Sequence, residues 1–529
     1  MRTLLLFALL LVGATSFAQQ DAWVYFNAKP NPQFFLSNPL EMLTQRAIDR
    51  RTTQNIALDI LDVPLSQTYI DQVEAASGIT VLAKSKWLNA VHVRGSIFAI
   101  NALENLEIVD HVDFADNNLD GAGRVADGSS SSRNQDAQAV FPYGQSANQI
   151  EMLNGHLLHQ QNYTGTGKVI AVLDAGFPGV DVVQPFQRLW TNNKILGGYN
   201  FADRNTNIFT RSSHGTMVLS TMGGYTENQL VGTAPDASYY LFITEMTESE
   251  NPLEESLWVE AAEMADSLGV DVINTSLGYF EYDDPDYSYS YADLDGVTAF
   301  VSRGADIAFS RGMVVVVSAG NSGGTVNPHI SVPADAVNVL TVGSVNSAGV
   351  YSAFSSTGPT SDGRVKPDVM ARGQAAVVAN PNGNITTASG TSFAGPIMAG
   401  MVASLWQALP DKTNAEIIQM IKESAHLYAT PNAQYGYGIP DFSEALDSFL
   451  LIEDFTLFPN PATSFFSIAF PSDIFSADVI VYSLSGQKVV EQQGVQHASQ
   501  VGLEKLSPGL YIYKIQSGSR IATGKFIKQ

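Results

Sequence analysis

Five short apolar runs constrain the fold of this chain more than any other feature: residues 169–173, 238–243, 270–274, 314–318 and 339–342. Each is near-continuous and bounded by charge, asparagine or glycine, as a strand covered on both faces must be. Helical patterns lie between several of them, notably at 254–267 and 299–311. Alternating β and α units predict a doubly wound parallel sheet with helices on both faces. The α/β pattern spans residues 148–450, and ligands of such a sheet bind beyond the carboxyl ends of its strands.

Those strand ends carry the residues capable of chemistry. Asp174 closes the run KVIAVLD and precedes Ala175-Gly176, a place from which a carboxylate can orient an imidazole. His214, in SSHGTMV, is the one histidine of eight followed by Gly-Thr, and a helical pattern begins there. Asn321 follows the run VVVVSAG, where its amide can donate to an oxyanion in the same crevice. Ser392 lies in ASGTSFAGPIMAG at the start of a helical pattern rich in small residues. A helix N-terminus favours negative charge developing beside it. Taken singly, each has a commoner explanation: a turn Asp, a surface His, a turn Asn, a Ser cap. Four such signals in the order Asp, His, Asn, Ser, each at a strand end or helix start, point to nucleophilic catalysis. The Gly-x-Ser-x-Gly elbow of an α/β-hydrolase is absent at Ser392, and the chain order is wrong for one.

The region resembles the subtilisin-like serine proteases, or subtilases. The motifs VIAVLDAGF, HGTMV, VGTAPDASYYLF, INTSLG, SAGNSG, SSTGPTSDGRVKPDVMARG and GTSFAGPIMAG carry the match. The resemblance implies a secreted serine endopeptidase with Asp174, His214 and Ser392 as the triad, acting through an acyl-enzyme. Asn321 and the Ser392 amide would form the oxyanion hole. Ser276, Leu277 and Gly278 would pair with the substrate backbone and, with Ala319 and Gly320, wall the first specificity pocket. There is no cofactor for the chemistry; subtilases often bind structural calcium, but no ligand is assigned. Two positions depart from the family habit: Ala175 stands where Ser or Thr usually follows the aspartate, and Phe393 where Met usually follows the serine.

The flanks differ from this core. Arg2, the apolar stretch 4–12, and Ser16 and Ala18 before Gln19 read as a cleaved signal peptide, residues 1–18, too short to span a bilayer. Residues 19–120 carry a β-α-β-β-α-β pattern, that of a ferredoxin-like α+β module. It resembles the inhibitory prodomain of subtilases, which implies that the chain's own prodomain is an intramolecular inhibitor removed by autocatalysis. Residues 121–147 (GAGRVADGSSSSRNQD and onward) read as an exposed linker holding the maturation site. Residues 455–529 show short strand patterns separated by Gly, Pro and Ser, an all-β sandwich. With PNP at 459–461, GLY at 509–511 and a basic end, they resemble the C-terminal sorting domain of the type IX secretion system of Bacteroidota. That implies export through the periplasm and engagement of the secretion machinery.

The formal net charge of −24 argues against nucleic acid or an anionic membrane as partner, leaving protein or peptide substrates. The absence of cysteine excludes disulfides, thiolate metal sites and a cysteine nucleophile. Residues 279–295 (YFEYDDPDYSYSYADLD) are acidic and tyrosine-rich; they match no EF-hand spacing, and a solvated loop is expected there.

Overall fold

The computed structural model describes residues 19–116, 141–447 and 455–529, apart from 471–473, 475, 497–498 and 519. The expected signal peptide and most of the expected linker lie outside these residues. The chain divides into two compact units, Met1–Ala445 and Leu446–Gln529.

The first unit begins with an antiparallel sheet of β1 (Gln19–Phe26), β2 (Ile79–Ser85), β3 (Ala90–Ser96) and β4 (Val109–Phe114), in the order β2-β3-β1-β4. Helices α2 (Gln67–Glu74) and α3 (Ile97–Ala102) complete the β-α-β-β-α-β pattern. Ile70, Val73 and Ile100 from these helices meet Val24, Val91, Val93 and Val112 from the sheet in one core. Between β1 and α2 lies an excursion that the sequence pattern did not anticipate, containing α1 (Gln45–Thr53).

A seven-stranded sheet, parallel throughout, follows. Its strands are β5 (Val169–Asp174), β6 (Ile195–Asn200), β7 (Ser238–Ile243), β8 (Val272–Thr275), β9 (Val314–Ser318), β10 (Leu340–Val345) and β11 (Val369–Arg372). They run in the order β11-β10-β9-β8-β5-β7-β6. The five apolar runs are its inner strands, and β5, β8, β9 and β10 are buried at every residue. The surrounding helices include α4 (His214–Gly223), α5 (Leu253–Leu268), α6 (Phe300–Ser310) and α7 (Thr391–Ala408). The small residues of α7 serve close packing: a Cβ on Gly395 would lie 2.7 Å from Ser318 Oγ at the end of β9. Residues 391–406 of α7 are buried without a break, which explains a helix with no polar face.

The N-terminal sheet packs on α5 and α6. Trp23 stacks on Phe300 with ring centroids 4.7 Å apart and donates from Nε1 to Ser256 Oγ at 2.8 Å. Glu263 accepts from Ser85 Oγ (2.6 Å) and from the amides of Lys86 (3.0 Å) and Trp87 (2.9 Å). The excursion reaches the far end of the same helix. There Arg51 bridges Asp62 and Asp266, each at 2.8 Å, while Arg50 pairs with Asp266 and Arg46 with Asp271.

The second unit is a β-sandwich. Three antiparallel strands (Thr456–Phe458, Phe465–Ala469, Gln500–Gly502) face four more (Lys488–Gln496, Ser476–Tyr482, Gly509–Ser517, Arg520–Lys528). Alternating residues from both sheets, among them Phe466, Val479, Val481 and Phe526, share one core.

Candidate active site

Asp174 is the last residue of β5 and is fully buried. Its Oδ1 lies 2.8 Å from His214 Nδ1 and also accepts from Ala175 N at 2.8 Å. His214 is the first residue of α4. The following Gly215 allows this approach, since a Cβ there would lie 2.5 Å from the Gly176 carbonyl oxygen and 3.0 Å from Asp174 Cβ. Burial works to lower the His214 pKa, but the Asp174 charge and hydrogen bond more than offset it, leaving it above its ordinary value. Phe393 packs beside the imidazole, with ring centroids 6.0 Å apart.

Ser392 is the second residue of α7, whose N-cap is Gly390. Its Oγ donates to the Ser276 carbonyl at 3.3 Å, and Ser276 Oγ donates back to the Ser392 carbonyl at 2.9 Å. Ser392 N–H, in the first turn of a helix, has no intrahelical acceptor. Asn321 is exposed three residues beyond β9. Its Oδ1 accepts from Thr391 N (2.8 Å) and Thr391 Oγ1 (3.1 Å), which commits the oxygen and leaves Nδ2 as donor.

Ser276, Leu277, Gly278, Gly320, Asn321 and Ser392 line a single cleft of about 460 Å³. Ser331, Thr325, Val326 and Asn327, which the sequence motifs did not single out, also line it, beside Glu250, Phe280 and Glu281. Val326 is 96% exposed, an apolar side chain offered to whatever enters. Ala319 is fully buried one residue behind the lining, its carbonyl accepting from Ser331 N at 3.3 Å. Thr391, which orients Asn321, was likewise missed; its one signal was its place directly before the serine.

In the acidic segment 279–295 several carboxylates serve their own turns. Asp284 caps its own turn by accepting from Asp286 N, Asp293 accepts from Ser290, and Asp295 from Val297 N, Thr298 N and Thr298 Oγ1. Among the described residues no group of three or more His, Asp or Glu is gathered as a metal site. Asp284, Asp293 and Asp295, each spent on its own turn, do not fit one. Nor is the segment simply solvated: Tyr279, Tyr282, Tyr287 and Tyr289 are buried.

A parallel sheet with an Asp–His pair at one strand end, beside a buried helix that opens with a serine and whose Phe393 packs by the histidine, is the arrangement of the serine hydrolase class. Residues 165–438 match the subtilase family, residues 21–135 the peptidase S8 propeptide domain of Bacteroidota, and residues 456–529 the secretion system C-terminal sorting domain. Subtilisin E of Bacillus subtilis (strain 168) is 32% identical over 306 residues, covering 57% of this chain and 70% of the relative. The subtilisin of Bacillus pumilus is 32% identical over 306 residues, covering 57% of this chain and 97% of the relative. A solved structure, that of the prenylagaramide maturation protease PagA, aligns with a TM-score of 0.44 at 22% identity, covering 55% of this chain and 97% of that one. The chain belongs to the subtilase family.

It is therefore a serine-type endopeptidase carrying an N-terminal propeptide domain and a C-terminal sorting domain, secreted or held at the cell surface of a Bacteroidota bacterium. Among the described residues no helix is long and apolar enough to cross a membrane.

Proposed function

We propose that Ser392 is the nucleophile, His214 the general base and acid, and Asp174 the group that orients and charge-stabilises the histidine. The observation that carries this reading is the 2.8 Å bond from Asp174 Oδ1 to His214 Nδ1, which leaves Nε2 to serve Ser392. Ser392 Oγ turns from the Ser276 carbonyl toward His214 when a substrate fills the cleft, since catalytic hydrogen bonds of free enzymes are commonly completed on binding. Oγ attacks the scissile carbonyl while Nε2 takes its proton. The tetrahedral oxyanion is held by Asn321 Nδ2 and the Ser392 amide. Nε2 then protonates the leaving amine, and water repeats the sequence on the acyl-enzyme. Ser276, Leu277 and Gly278 add a strand to the substrate backbone, and Gly320, backed by Ala319, forms the facing wall. No metal ligand is assigned, and calcium has no part in this sequence of steps.

The processing scheme belongs to the same reading. Residues 1–18 are a signal peptide and residues 19–120 the inhibitory prodomain. Residues 121–147 contain the maturation cut, 148–450 form the catalytic domain, and 455–529 are read by the secretion machinery and removed. Substrates are proteins or peptides. The experiment is to express residues 19–450 with and without Ser392→Ala and follow the N-terminal module by intact mass. Release in the parent and retention in the variant support the reading. Retention in both, with no casein cleavage after nicking the linker, leaves a peptide-binding scaffold instead.

A further inference from the structure

Glu245 is a carboxyl group that the reaction above does not use. It lies two residues beyond β7, is 8% exposed, and sits on the far side of β5 from the 276–279 segment. Its Oε1 accepts from Tyr279 OH and from Thr244 Oγ1, both at 2.9 Å. In the sheet, β5 lies between β7 and β8, so the Glu245–Tyr279 bond clips together the two neighbours of the Asp174 strand. Thr244 N donates to the Asp174 carbonyl at 3.2 Å, which ties the clip to Asp174 itself. On the other side Tyr279 exchanges backbone bonds with Val332 (2.8 and 3.0 Å), and three residues before it Ser276 bonds to Ser392. A continuous path thus runs from Asp174 through Thr244, Glu245, Tyr279 and Ser276 to Ser392.

We propose that Glu245 is a positioning residue for peptide hydrolysis: its carboxyl, acting through the Tyr279 hydroxyl, sets the 276–279 edge against the Asp174–His214 pair. The inference rests on Ser392 being the nucleophile. It also accounts for the tyrosine-rich segment. Tyr282 stacks on Tyr279 (centroids 6.4 Å), and Tyr282 and Tyr289 both donate to Glu255 Oε1 at 2.7 Å, so the segment backs the substrate edge through buried acids. The charged groups facing Glu245 are the carboxyls of Asp174, Glu250 and Glu254. Arg211 donates to its backbone carbonyl, with the guanidinium already paired to Asp203 and Glu248. Burial among these acids pushes the Glu245 and Glu254 carboxyls up, so Glu245 works as a neutral acceptor near neutral pH.

The test uses the full chain after self-processing, with Tyr279→Phe, Glu245→Ala and Glu245→Gln. Two rates are read for each: kcat/KM on a peptide with four residues before the scissile bond, and labelling of Ser392 by a small sulfonyl fluoride that needs no extended subsites. The expected result is a fall of about tenfold or more in kcat/KM for Tyr279→Phe and Glu245→Ala. Labelling stays within about twofold of the parent, and Glu245→Gln, which keeps the acceptor, recovers peptide activity. Parent-like peptide kinetics in Tyr279→Phe and Glu245→Ala, or a Glu245→Gln as impaired as Glu245→Ala, overturns the proposal. Failure of the parent itself to be labelled at Ser392 overturns the underlying nucleophile assignment instead.

Discussion

Asp174 gives one oxygen to His214 and keeps the other without a partner: Oδ1 lies 2.8 Å from His214 Nδ1, while Oδ2 is buried and makes no hydrogen bond among the described residues. Residue 175 is alanine, so the next side chain offers this carboxylate no hydroxyl. The Asp174 charge is felt by the imidazole, whose pKa it holds up against burial. A base must be neutral to act, so kcat/KM should rise with pH through this raised value rather than through the ordinary histidine range. Ala175→Ser, by supplying a donor to the carboxylate, should move that acid limb to lower pH. Asp174→Asn should lower kcat by about 10⁴-fold, the size known for the equivalent change in another triad protease. A pH–rate profile of the three proteins reads all of this.

With Asn321 at the oxyanion, as proposed above, its loss should appear in kcat and hardly in KM. Asn321→Ala is expected to cost about 10²–10³-fold, a magnitude taken from subtilisin's own oxyanion asparagine. Thr391→Val removes one of the two bonds holding Asn321 Oδ1 and spares the backbone one, and it should cost less than Asn321→Ala. Steady-state kinetics on one peptide ranks the two.

Arg51 answers two buried carboxylates, Asp62 and Asp266, from a site with almost no solvent. Removing one member of a buried ionic group leaves the others unpaired, at a cost of about 3–5 kcal/mol. Arg51→Ala, made in the Ser392→Ala background so that the prodomain stays attached, should therefore unfold markedly earlier in urea. Asp266→Asn in the same background relieves the opposite charge and should be worse tolerated with Arg51 present than absent, which a double-mutant cycle measures.

His159 supplies a pH dependence of stability. Its Nδ1 accepts from Tyr143 OH at 2.8 Å and Nε2 donates to Thr233 O at 3.0 Å, so the ring is held neutral. Burial lowers its pKa from 6.5 to about 4. Between those values the unfolded chain binds the proton and the folded one does not. The contribution is thus complete above about pH 6.5 and lost as pH falls toward 4, on the order of 3 kcal/mol in all. His159→Gln should flatten the stability curve over that interval, as followed by urea unfolding at successive pH values.

The inner strands of the sheet were legible because burial on both faces writes itself as an unbroken apolar run. Its edges were not. β6 (ILGGYN) is partly exposed and interrupted by two glycines, and β11 spans four residues, too few to show a pattern. Helix α1 reads as a polar segment since its sequence is QRAIDRRTT, yet Arg50 and Arg51 are buried. Their partner Asp266 lies 216 and 215 residues away, beyond the reach of any local pattern. Asp174, His214, Asn321 and Ser392 stood out through short local motifs. Thr391 and Asn321 are joined across 70 residues and Tyr279 and Glu245 across 34, so these supporting bonds exist only once the chain has folded.

At the boundary between the N-terminal sheet and α5 the charges interlock in both directions. Arg46, Arg50 and Arg51 reach Asp266 and Asp271, while Arg311 reaches back to Asp59 and Asp62. Buried pairs are screened little by salt. A module freed by the proposed maturation cut should therefore hold to the protease nearly as well in brine as in dilute medium.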